Sequence, residues 1–162
     1  MKTMRLFPLE LRRLLQSRLT WLIMALTVLS PVLGLVLYKP ATSTTMLSMY
    51  LANPAIAGGA AGAILFGLLA IFELDRARRS RVDILTDAVV SPLTTALTRL
   101  LALLTAAVLT AGLTMLVWLP ISTGLIGSVF TGVNFLLAYL LLMGLALPLG
   151  ILAAAAAYQF TR

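Results

Sequence analysis

The sequence predicts an all-α integral membrane protein. Three observations carry this: its apolar composition, the long stretches without charge, and the lopsided placement of its basic residues. Of 162 residues 61% are hydrophobic and 10% charged, and the mean hydropathy is +1.07. A soluble domain is roughly half apolar and about a quarter charged. Twenty uncharged positions separate Arg18 from Lys39, thirty-three separate Lys39 from Glu73, and sixty-two separate Arg99 from Arg162. About 20 residues of helix cross the hydrocarbon core, so these stretches are long enough to span. The predicted architecture is an amphipathic interfacial helix followed by four transmembrane helices, with N- and C-termini cytoplasmic and a single transmembrane domain over residues 19–162.

The leader, residues 1–18, carries Lys2, Arg5, Arg12, Arg13 and Arg18 against one acid, Glu10. Pro8 suits the first turn of a helix, where its missing N–H costs nothing. Phe7, Leu11, Leu14 and Leu15 then share one face, and Arg12, Arg13, Gln16 and Ser17 fall elsewhere. That pattern suits a helix in the headgroup plane with its arginines toward anionic lipid. A frayed basic leader that only sets topology is the plainer alternative.

The first span is residues 19–38, with Trp21 and Tyr38 at its two ends, where aromatic belts form. Its apolar stretch is too long for a cleaved signal peptide, so it reads as an anchor. Residues 39–49, rich in Thr and Ser after a Lys-Pro break, read as a loop. The second span is about 50–72. Within it Ala55, Gly59, Ala63 and Gly67 recur every four residues. Small residues at this spacing let helices approach closely in lipid. The stripe serves either a dimer seam or packing against the chain's own helices.

Residues 73–99 form the one substantial polar segment after the leader, with five arginines and the acids Glu73, Asp75, Asp83 and Asp87. Asp75 and Arg79 stand four apart, acid first, so helix is expected to continue past the span. Ser91-Pro92 breaks it. The third span is about 100–119, ended by Pro120. Glycines 124, 127 and 132 predict a loop over 121–132. The fourth span is about 134–158, kinked near Pro148 and Gly150. Asn53 and Asn134, at span ends, read as caps.

Eleven of the twelve basic residues fall in the leader, the central loop or at Arg162, leaving Lys39 alone on the other side. The positive-inside rule therefore places both ends in the cytoplasm of a cell (plasma) membrane protein. The same rule explains the net charge of +7 without nucleic acid. With no Cys and no His, thiolate and imidazole chemistry is excluded, and so are the usual zinc and haem ligands. Neither lysine sits in a P-loop setting. No catalytic residue, cofactor or metal site is expected, and the chain is not read as an enzyme.

The order of parts resembles a known family. Leu9-Glu10-Leu11-Arg12-Arg13 feeds the first span, and Phe72-Glu73-Leu74-Asp75-Arg76 ends a glycine-rich second. Arg78-Arg79-Ser80-Arg81-Val82-Asp83-Ile84-Leu85 follows, then Ser91-Pro92 and an arginine at the start of span three. This layout looks like the N-terminal portion of the membrane (permease) subunit of a type-2 ATP-binding-cassette exporter. The resemblance implies a coupling helix at about 82–90, in which Asp83, Ile84, Leu85, Asp87 and Val89 dock on a separate ATP-binding-cassette ATPase subunit. It also implies a homo- or heterodimer with another permease chain. Such permeases usually have six spans, so four imply the front part of a longer permease or a reduced relative. Where many members carry Glu-Lys-Gly or Glu-Arg-Gly before the coupling helix, Arg81-Val82-Asp83 stands here.

Three other functions compete. An ion-coupled carrier places ionisable residues within its spans, whereas all five acids here lie between Glu10 and Asp87 and none at mid-membrane. A membrane-embedded transferase or protease would need Glu73, Asp75, Asp83 and Asp87 as catalytic groups, whose neighbours are arginines. A non-transporting scaffold or regulatory subunit is the alternative that four spans leave standing.

Overall fold

The computed structural model describes residues 3–37, 48–79 and 92–160, and among these only 17, 30, 130, 131 and 145 fall outside a helical turn. Four stretches are long and apolar enough to cross a membrane: Arg18–Leu37, Tyr50–Arg76, Leu93–Ile126 and Gly132–Phe160.

The leader forms α1, Thr3–Gln16. It begins a turn earlier than expected, so Pro8 stands inside the helix and deprives the Met4 carbonyl of its usual donor. Leu14 is buried, and Phe7, Leu11 and Leu15 pack on the bundle core. The apolar side of α1 is thus occupied by protein, chiefly by the long helix Pro92–Ile126. Arg12 and Leu9 face outward.

Ser17, in extended conformation, separates α1 from α2, Arg18–Leu29. Ser30 separates α2 from α3, Pro31–Leu37. Pro31 cannot donate to the Thr27 carbonyl. Ser30 does so instead, through its N–H at 3.3 Å and its hydroxyl at 2.7 Å. The same break costs the Val28 carbonyl its regular helical donor, and the Trp118 indole N–H replaces it at 2.9 Å. A proline break in one span is therefore held by a tryptophan from another.

A π-helical turn, Ser48–Ala52, leads into α4, Asn53–Arg79. Helix does continue past the second span, as the sequence suggests. The next helix, α5, runs over Pro92–Ile126. Its length is about 52 Å, well beyond the hydrocarbon thickness. The loop expected from Ile121 is largely helix instead. Pro120 is carried within α5, and a short 3-10 turn, Gly127–Val129, follows. One proline removes a single backbone donor, and apolar packing on either side outweighs that loss. Reversal comes at Gly127, whose φ of 65° is left-handed and favours glycine.

The last span is α6, Gly132–Ala138, a π-helical segment Tyr139–Gly144, and α7, Ala146–Phe160. Its irregularity lies just before Pro148 rather than at Gly150. The π segment ends at Gly144, the residue whose carbonyl Pro148 cannot serve. Asn134 sits inside α6 after Thr131, and Asn53 opens α4 directly after the π turn, so Thr131, not Asn134, holds the cap position of α6.

Helix α4 is the hub. It packs on α7 and the π segment on one side and on α2 and α3 on the other, while α1 lies along α5. Phe66, Leu69, Ala106, Tyr139, Met143, Leu147 and Ile151 fill the centre. Outside, Leu26, Val36, Ile64, Leu116, Leu140 and Leu149 stand exposed on all four long stretches. A helix apolar all round suits lipid rather than water.

Candidate functional site

Charge gathers at one end of the bundle, where three helices meet. Glu10 and Arg13 come from α1, Glu73 and Arg76 from α4, and Arg99 from α5. Glu10 and Arg13 lie three apart, which sets both on one side of α1. Glu73 follows the last buried turn of α4, Leu69 and Ala70, and shares their inward face, with only 8% of its side chain exposed.

A carboxylate this buried requires cationic partners, because leaving water costs several kcal/mol per ion. Arg13 Nη2 donates to Glu73 Oε2 at 2.8 Å and lies 3.1 Å from Glu10 Oε2. Arg76 Nη1 stands 3.7 Å from Glu73 Oε1, one turn along the same helix. Arg99 Nε lies 3.5 Å from Glu10 Oε1, with 11% of its side chain exposed. The run Glu73–Arg13–Glu10–Arg99 crosses from α4 through α1 to α5. Below it, the Thr98 hydroxyl donates to the carbonyls of Thr94 and Thr95 on its own helix.

Chemically this is a brace. Each carboxylate is already shared between two arginines, so neither is placed to act as a base. No group of three or more potential metal ligands occurs among the described residues. The brace clamps α1 against the stems of α4 and α5, the two helices that flank residues 80–91.

The expected coupling residues Asp83, Ile84, Leu85, Asp87 and Val89 lie outside the described residues. So does the Arg79 side chain expected to pair with Asp75. The small-residue stripe is in view. A Cβ on Gly59 would strike the Leu142 carbonyl oxygen and come within 3.3 Å of Ala146 Cβ. One on Gly67 would meet the Gly150 oxygen at 3.3 Å and Ala154 Cβ at 3.4 Å. From the other side, a Cβ on Gly150 would strike Ala63, 2.7 Å from its Cα. Ala55 is fully buried. Positions 142, 146, 150 and 154 thus form a reciprocal stripe on the fourth span, so Gly59, Ala63 and Gly67 pack within this chain. Sequence reading missed the brace, although Glu10 alone among arginines and Glu73 ending an apolar span were both signals for it.

No family model, no curated protein and no solved structure matches this chain.

Proposed function

We propose that the chain is the permease subunit of an ATP-binding-cassette exporter, driven by a separate ATPase subunit. It crosses the plasma membrane four times with both ends in the cytoplasm, and α1 lies along that surface with Arg12 toward lipid. The observation that carries this reading is the brace. It joins the leader to both helices that bracket residues 80–91, so force applied to that segment reaches the bundle through three coupled elements. The brace also lies at the end where the basic residues gather, the cytoplasmic end by the positive-inside rule.

The filled centre bears on how transport would work. Phe66, Tyr139, Met143 and Leu147 close the interior of one copy, so the substrate path belongs between this chain and a second permease chain. The same closed interior favours the second reading, a scaffold or regulatory subunit with no transport of its own.

Co-purification of the tagged chain from native membranes separates the two. A permease subunit brings down a P-loop ATPase, detected as ATP hydrolysis in the eluate. Leu85→Ala or Ile84→Ala should then reduce capture more than Asp87→Ala does. Apolar anchors dominate binding energy, and rim charges act mainly at low salt. Wild type without an ATPase, or Leu85 and Ile84 variants that capture it as well as wild type, would leave the scaffold reading.

A further inference from the structure

We infer that the outward face of α2, with the elbow that joins it to α1, is a binding site for one anionic phospholipid whose phosphate is held by Arg12 and Arg18. The brace occupies the other described arginines: Arg13, Arg76 and Arg99 each face a carboxylate of Glu10 or Glu73. Arg12 and Arg18 are exposed, and no carboxylate among the described residues pairs with either. Their charge is uncompensated within the described part of the chain.

The surface beyond Arg18 is ordered as a phospholipid is. Arg18, Leu22, Ala25 and Leu29 follow at spacings of four, three and four, which sets them in one line on the helix. All four are exposed, while the opposite side of α2 is buried in the bundle. From Arg18 to Leu29 the line is about 16 Å long. That is close to one leaflet, half of a hydrocarbon core roughly 30 Å thick. A guanidinium thus heads a strip of aliphatic surface one acyl chain deep. Trp21 flanks the strip near its head, 56% exposed, where aromatic belts form. Its indole N–H donates to the Leu15 carbonyl at 2.7 Å, one of the last carbonyls of α1, which have no helical donor. This bond crosses the extended residue Ser17. It holds the helix that bears Arg12 at a fixed angle to the helix that bears Arg18.

The chemistry of the occupant follows from the two ends of the strip. Guanidinium groups take phosphate oxygens in pairs, and two of them without a neighbouring acid favour a net negative headgroup. A zwitterionic lipid brings its own cation beside the phosphate and gains less. A soluble phosphate would satisfy the arginines and leave Leu22, Ala25 and Leu29 uncovered. The site rests on the proposed crossing of the bilayer by α2, and it requires no ATPase.

Trp21 reports on the site, because Trp118, the other tryptophan, is buried. The chain is reconstituted in mixed vesicles of phosphatidylglycerol and phosphatidylcholine, with brominated, tryptophan-quenching chains on one lipid or the other. Bromine in both leaflets makes the readout independent of orientation. At equal mole fraction, brominated phosphatidylglycerol should quench Trp21 more than brominated phosphatidylcholine does. Arg12→Gln and Arg18→Gln should each lower the relative affinity for phosphatidylglycerol by about fivefold. Quenching by brominated phosphatidylcholine should persist in both variants, which shows that Trp21 still meets lipid. Soluble glycerol phosphate should leave the preference unchanged. Equal quenching by the two lipids, an undiminished preference in both variants, or displacement by glycerol phosphate would each overturn the site. Quenching by neither lipid would overturn it together with the crossing of the bilayer by α2.

Discussion

Glu73 shows how much a single residue can hold at the end of an apolar helix. Its carboxylate is buried and takes its strongest bond from Arg13, sixty residues away in the chain. Removing it takes from Arg13 its closer carboxylate and leaves it Glu10. A fully buried pair broken this way costs about 3–5 kcal/mol. Arg13 and Arg76 are 40% and 63% exposed and recover some hydration, so Glu73→Ala should cost about 1–3 kcal/mol. Unfolding of the detergent-purified variant measures this, and a loss below a few tenths of a kcal/mol would reduce the brace to a surface contact. Trp118→Phe tests the second long-range tie. It keeps the ring but leaves the Val28 carbonyl without a donor, a loss of about 1 kcal/mol on the same assay. The partners in these two ties were not legible in the sequence. Local spacing offered Asp75–Arg79, and nothing local pairs Glu73 with a residue in the leader.

At the scale of elements, the contact between α4 and the fourth span is set by backbone approach. Gly59 and Gly150 each face backbone atoms, which cannot swing aside. Gly59→Ala and Gly150→Ala should therefore destabilise the protein, and Gly59→Leu should do so severely. Gly67→Ala meets its neighbours at 3.3 Å and beyond and should be the mildest of the stripe. Gly112 has nothing within 4 Å of a new Cβ, so Gly112→Ala should be neutral or stabilising by up to about 1 kcal/mol through helix propensity. Thermal denaturation across the four alanine variants checks the order. Equal effects at Gly59 and Gly112 would mean that close approach is not what the glycines serve. The every-four spacing of this stripe was plain in the sequence. Ala146, Gly150 and Ala154 carry the same spacing on the fourth span, but nothing in the sequence says that the two stripes face each other.

For the whole molecule, the decisive quantity is orientation. With eleven basic residues in the leader, the central segment and Arg162 against Lys39 alone, residues 39–49 are expected outside and the leader and residues 73–99 inside. The chain has no native cysteine, so single cysteines report cleanly. Thr44→Cys should react with an impermeant thiol reagent on intact cells, and Ser80→Cys only after lysis; the opposite pattern would invert the topology. The brace adds a second expectation at this scale. Because α1 is tied to both α4 and α5, deleting residues 1–16 should loosen those two helices together. Faster hydrogen exchange at the start of α5 and the end of α4 would report it, and exchange unchanged at both ends would show that α1 is an independent appendage.

Hydropathy and charge alone determined that this chain is helical, that four of its stretches are long and apolar enough to cross a membrane, and where three of them lie to within about four residues, whereas the third extends seven residues further at each end than expected. Those properties are local sums over about twenty residues, and in lipid a backbone has few alternatives to helix. Tertiary contacts decided the rest. Helix α5 runs through Pro120 and its glycines to Ile126, because packing outweighs one missing hydrogen bond. The apolar face of α1, equally suited to lipid by its spacing, rests on α5, since Arg13 and Glu10 reach charges that only folding brings near. The small-residue stripe turned inward for the same reason: a sequence states which residues permit close approach, and only the fold supplies the surface that approaches.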